Sequence, residues 1–185
     1  MTTDPVSASV HIDAPPERVW EYFTRPEAMV RWMGEYALLE PEPGGQFAVD
    51  VKGAPVRGRF VRLDPPRLLL ISWGYAGSDR LPPGASTVEI RLTPDGAGTR
   101  VDLEHRDLPP AEQPGHVTGW AHYLARLAAA TMGDPGPDPG MGEPTSPVHQ
   151  TQRAERGSRA DGGLRHPGAT GYGPEPGAAR PVRGT

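Results

Sequence analysis

His116-Val117-Thr118-Gly119-Trp120-Ala121-His122-Tyr123-Leu124-Ala125-Arg126-Leu127-Ala128-Ala129-Ala130-Thr131 is the long stretch of this chain whose apolar residues recur at helical spacing. Val117, Trp120, Leu124, Leu127 and Thr131 stand three or four apart, which sets one face of a helix of about 18 residues. The alanines among them add strong helix propensity. Gly133 stands where a C-cap glycine would, and Pro135 stops continuation.

Almost everything between residues 5 and 105 reads differently. Val6, Ala8, Val10 and Ile12 alternate with Ser7, Ser9 and His11, the period of a half-buried strand. Pro15 and Pro16 end it and suit a first helical turn. Glu17 to Phe23 then predicts a short helix with Val19, Trp20 and Phe23 inward. Thr24-Arg25-Pro26-Glu27 has the capping-box pattern, predicting a second short helix from Arg25 to Trp32, ended by Gly34. Strands follow from Tyr36 to Glu40, through Phe47, Val49 and Val51, and from Val56 to Leu63, where Arg57 and Arg59 interrupt the alternation. Leu68 to Ile71 is apolar on both faces and predicts a central strand; Val88, Ile90, Leu92 and then Val101, Leu103 alternate around the hairpin turn Pro94-Asp95-Gly96. The order is strand, two short helices, a run of antiparallel strands and one long helix. This is an α+β layout, a curved antiparallel sheet of about seven strands whose open face must be covered by the last helix. A gap between such a sheet and its helix is where small ligands bind.

Composition sets the limits. The chain has 24 Gly and 24 Pro, 48 of 185 residues, about twice the usual share. Residues 133–185 hold 12 of the glycines and 9 of the prolines and only five apolar side chains larger than alanine. Such a segment buries too little to offset its ordering entropy, so it is read as a disordered Gly/Pro-rich tail behind a domain of residues 1–132. There is no cysteine, which excludes a disulfide, a thiol nucleophile and a thiolate metal site. No run of 18 apolar residues spans a membrane, and Met1 to Ser9 lacks the pattern of a signal peptide. Cytoplasmic residence is the expectation. The formal net charge is −4, with no basic block, which argues against nucleic acid as a partner. There is no nucleophile elbow and no phosphate loop.

The segment Val10-His11-Ile12-Asp13-Ala14-Pro15-Pro16-Glu17-Arg18-Val19-Trp20 resembles the opening of START-like, or SRPBCC, domains. Trp32 is similar to that family's tryptophan after the second helix, and Gly44-Gly45-Gln46-Phe47 to its glycine-led strand. His116-Val117-Thr118-Gly119-Trp120 with Leu124 is similar to the closing helix of one branch, named after the activator of the ninety-kilodalton heat-shock chaperone ATPase. The resemblance implies a helix-grip (START-like, Bet v-like) fold with an apolar cavity. It leaves three functions open, since the superfamily includes lipid carriers, hormone receptors, polyketide cyclases and chaperone activators. They are a binder of a small hydrophobic or amphipathic molecule, a polyketide cyclase or dehydratase-like enzyme, and a chaperone-ATPase-activator module with a protein partner. The eukaryotic activator's separate N-terminal domain has no counterpart here.

The expected ligand-binding residues are Trp32, Phe47, Trp73, Leu103, His105, His116, Trp120, Tyr123 and Leu124. His116, Trp120, Tyr123 and Leu127 share one helix stripe; the alternative for each is ordinary core packing. An enzyme would use His105 or Tyr123 to move a proton; the bland reading of His105 is a hydrogen-bonded histidine at the rim. His116 and His122 fall on different helix faces, and no metal or cofactor is expected. Arg57, Arg59 and Arg62 read as a solvated strand face rather than a headgroup site, with Glu89, Asp102 and Glu104 on the outer face of neighbouring strands. A monomer or weak dimer is expected.

Overall fold

A computed structural model describes residues 4–141. Residues 142–185, most of the segment read as a tail, lie outside the described residues. Strand β1 (Val6–Ile12) leads into helices α1 (Pro16–Thr24) and α2 (Pro26–Met29). Strands β2 (Tyr36–Leu39), β3 (Gln46–Val51), β4 (Ala54–Asp64), β5 (Leu68–Trp73), β6 (Ser86–Asp95) and β7 (Gly98–Arg106) follow, and helix α3 (Gln113–Met132) closes the fold.

The seven strands form one antiparallel sheet in the order β1-β7-β6-β5-β4-β3-β2. Consecutive strands from β2 to β7 are neighbours, as short turns dictate. The exception is β1, which pairs with β7 in the register Val6↔His105 to Ile12↔Thr99. The α1–α2 pair therefore carries the chain across the whole width of the sheet, from one edge to the other. Period-two burial is clean in β6 and β7: Val88, Ile90, Leu92, Val101, Leu103 and His105 all point inward and are buried. In β4 the register shifts between Phe60 and Arg62. That bulge leaves Val61 and Arg62 both exposed, because an extra residue on one strand breaks the alternation.

The helices bury their faces against this sheet. The buried stripe of α3 is His116, Trp120, Tyr123, Leu124, Leu127, Ala130 and Thr131. Val117, expected on that stripe, is 53% exposed; one residue on from His116, it stands about 100° round the helix. The second helix also differs from expectation. It spans only Pro26–Met29, and Arg25, not Thr24, is its N-cap residue. Proline forces the residue before it out of the helical region, and Arg25 is extended at φ −112°, ψ 124°. Thr24 instead ends α1, with its hydroxyl donating to Trp20 O at 3.0 Å. Trp32 lies beyond α2 with its ring edge-on to Phe23 at 5.3 Å, and its indole N–H donates to Tyr22 O at 2.9 Å. Gly34 turns the chain at φ +87°, where a Cβ would sit 2.6 Å from Val49 and 2.7 Å from Asp50 O. Only glycine meets both demands.

After α3 the chain doubles back. The Gly133 N–H bonds Ala129 O at 3.1 Å, and its backbone is extended, at φ 168°. From there residues 134–141 run antiparallel along α3. Arg126 donates to Gly136 O at 3.0 Å. The Asp138 carboxylate meets His122 Nε2 at 2.9 Å, and Lys52 donates to Asp138 O at 2.9 Å. Met141 reaches Gly119, where a Cβ would stand 3.6 Å from its sulfur. A chain ending at Gly133 should therefore melt lower than one ending at Met141. The lost hydrogen bonds are partly exposed and worth about 1–2 kcal/mol together, or roughly 3–8 °C. Differential scanning calorimetry of the two lengths checks this; coincident midpoints would show that the return segment contributes nothing.

Candidate functional site

The expected gap exists. A cavity of about 530 Å³ lies between the first half of α3 and the β3–β5 side of the sheet. Val51, Lys52, Ala54 and Val56 supply one wall, Trp73 and Tyr75 the inner end, and Gly115, His116, Gly119, Trp120 and Tyr123 the helix side. Met33, Ala111, Glu112 and the return segment Pro139–Gly140–Met141 complete it. Glycines at 115 and 119 leave space on the helix that any larger residue would take.

Four of the expected residues line this cavity, namely Trp73, His116, Trp120 and Tyr123. The other five do not. Trp32 is packed under α1, and Phe47 sits edge-on to Phe60 at 5.6 Å. Leu103 and Leu124 are core residues, 1% and 2% exposed. His105 is 0% exposed, not at the rim, and lies behind Trp120.

A hydrogen-bond chain fixes His105. The Trp120 indole N–H donates to His105 Nδ1 at 3.1 Å. With Nδ1 an acceptor, the neutral ring carries its proton on Nε2 and donates it to Ser86 Oγ at 2.8 Å. Ser86 in turn donates to Trp73 O at 3.1 Å. Every member is satisfied, as burial requires. Burial pushes the His105 pKa down to about 3, with a smaller push from His116, so the ring stays neutral. It ties α3 to β5, β6 and β7 and has no free nitrogen for chemistry.

The groups that do face the cavity were only partly visible in sequence. His116 Nδ1 lies 2.7 Å from the Glu112 carbonyl, which can only accept. Nδ1 therefore holds the proton, and Nε2 takes a hydrogen bond from the Tyr75 hydroxyl at 3.1 Å. Burial raises the Tyr75 pKa, and the Glu112 carboxylate adds to this. Tyr123 is pushed up to about 12 by burial and by the Asp138 carboxylate. The Trp73 indole nitrogen is buried with no hydrogen-bond partner. Tyr75 escaped the sequence reading because it lies in the irregular segment after β5, tied to the sheet only by an isolated bridge to Val56. Lys52 and Met141 lie in a turn tip and the return segment, where no periodicity signals a wall. Among the described residues no group of three His, Asp or Glu side chains is placed to hold a metal ion, and no helix there is long and apolar enough to cross a membrane.

A curved seven-strand antiparallel sheet, two short helices after the first strand and a long closing helix over a cavity define the SRPBCC architecture. Residues 13–131 match the family model described as activator of Hsp90 ATPase homolog 1-like protein, and the chain belongs to that family. The AHSA1-like protein of Rhizobium etli is 42% identical over 90% of this chain and 96% of its own, with a TM-score of 0.62. DynU16, from the dynemicin biosynthetic locus, is 24% identical over 71% of this chain, which spans only 48% of DynU16; the TM-score is 0.62. An Hsp90 activator from Plasmodium falciparum is 19% identical over 69% of this chain and 95% of its own, with a TM-score of 0.59. At such identities the last two show the fold alone. No curated protein matches.

Proposed function

We propose that this protein binds a small hydrophobic or amphipathic molecule in the cavity between β3–β5 and α3, without a cofactor. The observation that carries the reading is the cavity's lining. Aromatic and aliphatic walls surround a few polar groups, Tyr75, His116 and Tyr123 with Lys52 and Glu112 also in the lining, which is the usual chemistry of a pocket for an amphipathic ligand. A protein-interaction module of the chaperone-activator kind would present a broad apolar patch on the outer sheet face. On β6 and β7 that face instead carries ion pairs, with Arg91 on Glu89, Arg106 between Glu89 and Glu104, and Arg100 on Asp102, and the exposed large apolar residues of the sheet are Tyr36 and Leu38 on β2 and Val61 on β4. The reading includes a monomer or weak dimer and residence in the cytoplasm.

A thermal-shift screen of fatty acids, aromatic polyketides and sterols should yield micromolar ligands. Binding to the native state alone adds about 2.7 kcal/mol at a hundredfold excess over Kd. Tyr123→Phe should weaken a polar-headed ligand by about 0.5–1.5 kcal/mol and leave its fully apolar analogue unchanged. A screen without stabilising compounds would sink the reading.

A further inference from the structure

We propose that residues 134–141 form a strap that gates the cavity, opening to admit a ligand and closing over it, with Asp138 as its latch. This regulates the ligand site proposed above and rests on that reading. The strap spans the cavity mouth from one bank to the other. On the α3 bank, Asp138 Oδ1 meets His122 Nε2 at 2.9 Å, Arg126 donates to Gly136 O at 3.0 Å, and Met141 lies against Gly119. On the sheet bank, Lys52 at the β3–β4 turn donates to Asp138 O at 2.9 Å. Between these ties Pro139, Gly140 and Met141 form part of the cavity wall. One residue therefore joins the two banks. Asp138 holds α3 through its carboxylate and the β3–β4 turn through its carbonyl. The same carboxylate accepts from the Gly140 N–H at 2.8 Å, which fixes the strap's own bend, and it faces the Tyr123 hydroxyl, whose pKa it helps to raise.

The strap is held differently from the other walls. Asp134-Pro135-Gly136-Pro137-Asp138-Pro139-Gly140-Met141 has one large apolar side chain, and that one, Met141, is 46% exposed. None of these residues is buried. Strands β3–β5 and helix α3, by contrast, are tied by ladder and helical hydrogen bonds around a buried core. Parting those walls would undo the fold, whereas releasing the strap breaks a few partly exposed hydrogen bonds. Segments that move in closure are drawn from this low-stability end of a structure. Prolines at 135, 137 and 139 fix φ, so the released strap has few conformations to search before it closes again. A ligand that waits for the strap to open binds at a rate set by the open fraction. One trapped beneath it leaves at a rate set by the same opening.

The test follows binding of 1-anilinonaphthalene-8-sulfonate to the full chain by stopped-flow fluorescence. Asp138→Ala removes the carboxylate ties and keeps the backbone. It should raise the association and dissociation rate constants about tenfold each, with Kd held within about threefold. A fixed wall weakened by the same change would raise Kd through dissociation alone, with association unchanged, and that result overturns the gate. The opposite variant exploits the absence of cysteine from the chain. Gly119→Cys with Met141→Cys can form one disulfide, across a contact where a Cβ on residue 119 would stand 3.6 Å from the Met141 sulfur. Oxidised, this variant should admit and release the probe about tenfold more slowly than the same protein reduced. Equal rates in the two forms overturn the gate and leave the ligand cavity standing. Failure of the cysteines to close under diamide does the same, since the strap would then not lie on α3. A probe that binds neither the native chain nor the reduced variant removes the cavity reading and the gate together.

Discussion

Trp120→Ala should lower the free energy of unfolding by about 3–5 kcal/mol, the usual cost of truncating a buried large aromatic. Trp120 is 4% exposed, lies 5.2 Å from Trp73 ring to ring, and is the donor that satisfies His105 Nδ1. Truncation removes the contact and leaves a buried acceptor unpaired. One effect works the other way. The hole opens into the existing cavity, so water can enter and relieve part of the loss. Leu127→Ala makes the comparison sharp. Leu127 is 0% exposed and does not line this cavity, so its loss of about 2–5 kcal/mol is a plain packing loss. Urea melts should show both variants destabilised, with ligand affinity reduced only in Trp120→Ala. Trp120→Phe separates volume from hydrogen bonding. It keeps a ring against Trp73 but strands His105 Nδ1, at a cost of about 1–3 kcal/mol. Sub-kilocalorie losses in both alanine variants would mean that α3 does not pack on the sheet as described.

The difference between Trp120 and Leu127 illustrates what the sequence could and could not reveal. Spacing of apolar residues reports which side of an element is buried, because both helix and strand periods follow from backbone geometry. Most of the α3 stripe, Val117 excepted, the inward set of β6 and β7 and the order of elements along the chain could therefore be read directly. Spacing does not report what lies opposite a buried side chain. Trp120 and Leu127 belong to one stripe, yet one faces a void and the other packed core. Phe47, Leu103 and Leu124 were expected at the cavity, and they are buried core residues that do not line it. Tyr75 carries the reverse lesson. It is drawn to the cavity by tertiary contacts, a bridge to Val56 and a hydrogen bond to His116, and nothing local marks it. Thr24 failed for a local reason, since the capping-box pattern was overruled by the constraint Pro26 places on Arg25.

His105 yields the pH dependence. In the unfolded chain its imidazole takes up a proton near the ordinary value of 6.5, whereas in the folded protein burial holds it to about 3. Between those values the unfolded state binds a proton that the native state refuses, so acid favours unfolding. The stability that depends on a neutral His105 is fully present above pH 6.5 and is lost progressively as pH falls toward 3. At pH 5 the loss from this one group should be about 2 kcal/mol. Because the side chain is wholly buried, solvent does not screen the effect away. His105→Gln is the informative variant. Its amide can accept from Trp120 and donate to Ser86, preserving the chain of hydrogen bonds, but it cannot titrate. The variant should be less stable than the native protein at pH 7, since glutamine fits an imidazole's space imperfectly. Between pH 7 and pH 5 it should lose about 2 kcal/mol less than the native protein does. Other titrating groups are common to both proteins and largely cancel in the comparison. Urea unfolding at the two pH values measures the difference. Equal losses in both would mean that His105 accepts a proton in the folded state, and the Trp120–His105–Ser86 chain would then have to be drawn with the ring charged. In that case Nδ1 would carry a proton and could no longer accept from Trp120, so the indole would need another partner. Burial, with His116 beside it, is why the neutral ring is the state the fold selects.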